Sequence, residues 1–321
     1  MTTPTVRWRL FQDEGEPTTR ERGANVYREL RRQGWDADAW DGREHADIIV
    51  LQYDMRALEE ALAAAPVVVF DCNDMVFADS WPGPHATITA GLPRVHAVVA
   101  GSPRLGQHLE RLHPTVRMIE QAVGPQYWTV KPKKHTGLHI FWMGMTDNIV
   151  YFREVDPVLE ALAQRHEFTV HFCTSKQSNL DHGDGCGKSN EKRVAAKQYP
   201  AMFHEWSVEG ALEVMAGCDL GIAPLWQTAW CEAKCANKAL NMMAAGLPVV
   251  CTDVPSYRAV IDDGVSSRLC FGPEEWLIAL DELLSDPSER QKMRKAGKIA
   301  AGAYTVERIA REWAAWFTEI A

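Results

Sequence analysis

The 321 residues contain no stretch approaching the roughly 20 apolar residues that a membrane span needs. Residues 1–10 hold no long apolar run and include Arg7 and Arg9, so no secretory leader is visible and a cytoplasmic protein is expected. Cys-x-x-Cys pairs are missing as well. The eight cysteines are scattered, which points to reduced thiols as in a cytosol and away from a disulfide frame. Positive charge is in short supply, and a net charge of −9 excludes global attraction to nucleic acid or acidic lipid. No repeat of fixed period marks a solenoid. Lysine is absent until Lys131.

What is present is alternation. Apolar, strand-like segments at 6–11, 36–40, 46–52, 66–71, 97–101 and 116–119 are separated by helix-like ones at 19–32 and 55–65. Ser102-Pro103 reads as the N-cap and first residue of another helix. Lys131, Lys133 and Lys134 then arrive together beside Pro132 and Gly137, a composition shift that marks a linker. Beyond it the alternation resumes, with strands expected at 138–142, 168–173 and 219–224 and helices at 156–165 and 207–216. Further helices start at Pro273, Pro287 and Thr305, and Asp286 and Glu289 have capping-box spacing.

Residues 174–198 read as a polar insertion. His171, Cys173, His182 and Cys186 have the side chains for zinc but lack knuckle spacing, which favours a plain polar loop over a metal site. Repeated β-α units with apolar strands predict parallel sheets covered on both faces. Nearly half the residues are apolar, and the length suits two domains of medium size. Two doubly wound units in tandem leave a cleft faced by the loops that follow the strands.

The densest cluster of chemistry lies at 230–253. Glu232 precedes a helix expected to carry Lys234, Lys238 and Asn241 on one face, by their i, i+4, i+7 spacing. Gly246 ends that helix before a buried strand. A helix start beside two ammonium groups attracts an anion, and a diphosphate next to a polyol would use all of these groups.

This pattern resembles the donor-binding signature of GT-B glycosyltransferases, in the family-four-like, glycogen-synthase-like group also called glycosyl transferases group 1. The resemblance runs from about Leu138 to the C-terminus through 219–225, 260–264, 274–276, 286–290 and 304–317, in the expected order; the N-terminal third matches loosely. It implies a GT-B fold of two Rossmann-like domains. These would be an acceptor-side domain at 1–130, joined by a terminal helix at 305–321 that packs back on it, and a donor domain at 131–304. It also implies a UDP-linked donor, transfer with retention of configuration, and no metal or other cofactor.

Carried over residue by residue, Glu232 would accept hydrogen bonds from sugar hydroxyls, and Lys234 and Lys238 would neutralise the diphosphate. Asn241 stands where the family usually has a glutamate for the ribose. Gly144, Thr146, Asp147 and Asn148 follow the first strand of the second domain and would face the donor. Met145 and Val150 stand where many relatives carry an arginine and a lysine, leaving Arg153 as one other cation.

In the first domain Asp71 and Asp74, either side of Cys72-Asn73, would hold or deprotonate the acceptor hydroxyl, or else close an Asx-type turn. Gln12, Asp13, Glu14 and Arg20, which follow the first strand, would line the same side. Lys188, Lys192, Arg193 and Lys197 form either a solvated basic face or a contact for a phosphate backbone. The acceptor stays open among a glycan, a metabolite and a hydroxymethylated base of phage-type DNA. The competing readings are a non-catalytic nucleotide-sugar binder and a sugar-nucleotide epimerase of the same fold.

Overall fold

In a computed structural model of the chain, residues 3–12, 16–76 and 85–321 are described. They form two compact units. The first comprises Met1–Gly124, Glu232–Ala236 and Ala303–Ala321, and the second Pro125–Cys231 and Asn237–Gly302. The division falls between Gly124 and Pro125, ahead of the lysine cluster. Residues 131–137 belong to the second unit, where the Lys133 amide donates to the Ala216 carbonyl at 2.7 Å and its ammonium meets Glu213 at 3.0 Å.

Six parallel strands build the first unit: β1 (Val6–Arg9), β2 (Ala37–Ala39), β3 (Ile48–Gln52), β4 (Val67–Cys72), β5 (Ala97–Ala100) and β6 (Val116–Met118), in the order β2-β1-β3-β4-β5-β6. Side chains alternate between faces along a strand, so β3 sends Ile48 and Val50 into one core and Ile49 and Leu51 into another. The terminal helix Val306–Ile320 closes the Ile48 side. Its Trp313 and Phe317 rings meet Trp8 edge-on at 5.8 and 5.5 Å, a geometry that suits the aromatic quadrupole.

The second unit holds β7 (Leu138–Met143), β8 (Phe168–Thr174), β9 (Ala201–Glu205), β10 (Leu220–Ala223), β11 (Val249–Thr252) and β12 (Arg268–Cys270), all parallel, in the order β12-β11-β10-β7-β8-β9. Trp142, Phe152 and Phe172 form its aromatic centre, with centroids 4.6 to 5.6 Å apart. Helix starts follow the caps expected of them. Ser102 Oγ accepts from the Leu105 amide at 3.3 Å, and Asp286 accepts from Ser288 and Glu289 at 2.7 and 3.1 Å.

Three local features depart from the expected elements. Edge strands β9 and β12 were not expected, because their residues are largely half-exposed and make no continuous apolar run. The helix expected at 19–32 opens with a π-helical stretch, Thr19–Ala24, in which Glu21 and Arg22 are buried. Among the described residues no helix is long and apolar enough to cross a membrane.

Candidate functional site

The 230–253 segment differs from the single helix its spacing suggested. A short helix, Ala229–Glu232, ends at the acid; residues 233–236 turn; and a second helix, Asn237–Ala244, starts afresh. Gly246 at φ +83° closes it ahead of β11, a conformation glycine adopts without strain. Lys234 therefore lies outside the helix that carries Lys238 and Asn241, and the three residues do not share one helix face. The unit division runs through the same segment, since Glu232–Ala236 groups with the first unit and Asn237 with the second.

Within the first unit this five-residue segment is tightly fastened. Ser102 Oγ donates to the Ala233 carbonyl at 2.7 Å and Cys235 Sγ to Gln121 Oε1 at 3.3 Å. The Ala236 backbone amide bonds the buried Glu120, whose carboxyl is pushed up to about 7 by burial. Glu232 lies 3.5 Å from Arg104 Nε with about a third of its side chain exposed, so its carboxylate keeps access to solvent. Lys234 Nζ lies 3.5 Å from Asp74 Oδ1.

Asp74 is partly exposed and lies 3.5 Å from the Tyr53 hydroxyl, which also accepts from the Asn73 amide at 3.0 Å. Tyr53 sits at φ +57°, an unfavourable backbone for a bulky residue, at the end of β3. Asp71 requires a correction. Its carboxylate is buried and accepts from Arg22 Nε at 2.7 and 2.9 Å, and Arg22 Nη1 donates to the Ile119 carbonyl at 2.8 Å. Burial raises the Asp71 carboxyl and the guanidinium opposes the rise. A carboxylate so enclosed is a structural ion-pair partner, and no acceptor hydroxyl can reach it.

Of the four other first-unit candidates, Arg20 meets the buried Glu21 at 3.4 Å and the Gln12 amide donates to Thr19 Oγ1 at 3.2 Å. Asp13 and Glu14 lie outside the described residues.

The loop after β7 also differs from expectation. Gly144 gives its N–H to the Cys173 carbonyl at 3.1 Å, so that amide is not presented to a ligand. Thr146 offers its carbonyl to Asn190 Nδ2 at 2.7 Å and its hydroxyl to Ser175 Oγ at 3.4 Å. Asp147 Oδ1 accepts from Ser178 Oγ and from the Asn179 amide at 3.0 Å, while Oδ2 faces Asn179 Nδ2 at 3.3 Å. Its carboxylate is thus spent on ordering the insertion.

Asn148 keeps a direct link to the signature. With its amide oriented as the surrounding donors require, its oxygen accepts from Lys238 Nζ at 3.1 Å and from the Met145 amide at 3.3 Å. Lys238 Nζ also stands 5.8 Å from the centroid of the Trp142 ring. Asn241 is buried, 2 % exposed, in the same helix. A charged glutamate there would need a partner to offset desolvation, whereas the neutral amide does not carry that cost.

Two of the four basic residues singled out in the insertion meet carboxylates. Arg193 pairs with Asp184 at 2.6 Å and Lys197 with Asp156 at 2.5 Å, beside a cavity of about 210 Å³ that also touches Arg153 and His182. His171 is hydrogen-bonded to His139 and His204 at 2.8 and 2.9 Å, and His182 to Ser178 at 3.1 Å. Among the described residues no three His, Cys, Asp or Glu side chains are placed to hold a metal ion.

Comparison with known proteins finds one family match and many likenesses of fold. Residues 182–286 match the model of glycosyl transferases group 1. Apart from Glu232–Ala236 the match is confined to the second unit's part of the chain, and the fold is GT-B. A D-inositol 3-phosphate glycosyltransferase of Corynebacterium urealyticum is 36% identical over 76 residues, which cover 23% of this chain and 18% of that protein.

Solved structures resemble it along nearly its whole length. Anabaena Alr3699/HepE in complex with UDP-glucose superposes with a TM-score of 0.73 at 12% identity, covering 98% of this chain and all of that one. Sucrose-phosphate synthase from Thermosynechococcus elongatus gives 0.70 at 12% identity, covering 99% of each chain. At these identities the likeness is one of fold.

Trp142, Tyr53 and Arg104 were missed by sequence reasoning. Trp142 had a signal, since it stands two residues before the glycine already singled out; Tyr53 and Arg104 gain their partners only through folding.

Proposed function

We propose that this chain is a retaining glycosyltransferase that moves a sugar from a nucleoside-diphosphate sugar, UDP-linked, to a hydroxyl acceptor. The observation that carries the reading is the group 1 signature with Lys238 in the first turn of its helix, held by Asn148 next to the end of β7. HepE, a structural neighbour, binds UDP-glucose, which supports the choice of donor class.

In this reading the departing diphosphate gathers negative charge in the transition state, and Lys238 with the leading N–H groups of its helix meets that charge. Glu232, about a third exposed, accepts hydrogen bonds from sugar hydroxyls. Asp74, beside Tyr53 and Lys234, holds the acceptor hydroxyl and takes its proton as the oxygen bonds the anomeric carbon and the bond to the diphosphate breaks. The chemistry as written uses no metal.

The test is a panel of sugar nucleotides incubated with the full chain. Slow release of nucleoside diphosphate from one donor is expected. Binding without release on every donor returns the binding-protein reading, and an altered sugar still attached to its nucleotide returns the epimerase reading.

A further inference from the structure

Lys238 is held from two directions inside the second unit, and the residues that hold it explain two features of the loop after β7. The first is Gly144. A Cβ placed there would stand 2.3 Å from Cζ2 and 2.6 Å from Cη2 of Trp142, so the glycine is required by the indole that lies over it. The ring is fully buried, and its N–H has no partner among the described residues. An unpaired buried donor costs about 1–3 kcal/mol, so the ring's placement is not set by its own hydrogen bonding. The same ring stands under the Lys238 ammonium at 5.8 Å.

The second feature is Asn148, whose oxygen accepts a hydrogen bond from that ammonium at 3.1 Å while the Met145 amide fixes the side chain at 3.3 Å. Ring and amide are both neutral. Each contacts the ammonium without a charge of its own, the ring at 5.8 Å and the amide oxygen at 3.1 Å.

We propose that Trp142 and Asn148 are positioning residues that aim the Lys238 ammonium at the donor diphosphate. This rests on the donor reading above. It assigns to Gly144 the role of making room for the ring, in place of a phosphate contact.

The experiment measures UDP affinity by calorimetry for the full chain as wild type, Asn148→Ala, Lys238→Met and the double variant, with uridine followed by ligand-observed NMR as the uncharged control. Loss of one hydrogen bond to a charged group predicts about tenfold weaker UDP binding in Asn148→Ala. Uridine binding should stay unchanged, and the loss should vanish in the Lys238→Met background. Asn148→Asp, which places a carboxylate against the ammonium, should weaken UDP at least as much with the fold intact.

An equal loss for uridine, or the same loss with and without Lys238, overturns the positioning role while leaving the donor reading in place. A wild-type chain that binds no UDP overturns the donor reading, and the positioning role with it.

Discussion

Replacing Asp71 by asparagine separates a structural ion pair from a catalytic base. The Arg22 guanidinium is about 1 % exposed, and its charge is met by the Asp71 carboxylate at 2.7 Å. Asparagine has nearly the same shape but no charge, so it leaves a buried cation facing only neutral acceptors among the described ones, the asparagine's own amide oxygen and the Ile119 carbonyl. Breaking a buried pair from one side costs about 3–5 kcal/mol, because desolvation of the remaining ion is no longer offset.

For a unit of this size each kcal/mol moves Tm by about 2–4 °C, so a drop on the order of 10 °C is expected. Differential scanning calorimetry on the full chain reads it. The companion Arg22→Met/Asp71→Leu should recover much of the loss, since a packed apolar pair carries no desolvation cost. An Asp71→Asn chain that keeps its Tm and loses turnover would refute the structural assignment and restore Asp71 as the base.

Three further predictions follow from particular contacts. Glu232→Ala should abolish turnover with the far-UV circular dichroism unchanged; retained activity removes Glu232 from the site. Gly144→Ala should displace Trp142 and cost about 1–3 kcal/mol, read as a lower denaturant midpoint, because the added methyl overlaps the ring. Glu120 has a folded value of about 7, above its unfolded value, so the folded state holds the extra proton between about pH 4.5 and 7. Stability from this group is full below that window and falls as pH rises through it, by about 3 kcal/mol. Glu120→Gln should therefore flatten the Tm profile over that range and exceed wild type at pH 8.

The strand and cap pattern was legible because it is written locally. The apolar β3 and β4 segments, the Ser102 and Asp286 caps and the Gly246 stop each depend on neighbours within a few residues. Lys234 was misread for a related reason. Its i, i+4 relation to Lys238 fits a helix, but Cys235 and Ala236 are drawn into the first unit by Gln121 and Glu120, which breaks the helix before Asn237.

Asp71 and Asp147 were misread because their partners come from far along the chain. Arg22 is 49 residues from Asp71, and Ser178 and Asn179 are 31 and 32 from Asp147. Local spacing marks a carboxylate as available; only folding decides whether an arginine or a loop amide takes it. The edge strand β9 escaped notice since Met202, His204 and Glu205 give it no apolar run to recognise.

The central claim is that the segment from Glu232 to Asn241 grips an activated sugar by its diphosphate. A crystal structure of the chain soaked with UDP-glucose tests it most directly. Phosphate density within hydrogen-bonding distance of Lys238 Nζ, with Asn148 still on the ammonium, is the expected result. Well-ordered nucleotide bound away from that segment, with the Lys238 side chain untouched, would contradict it.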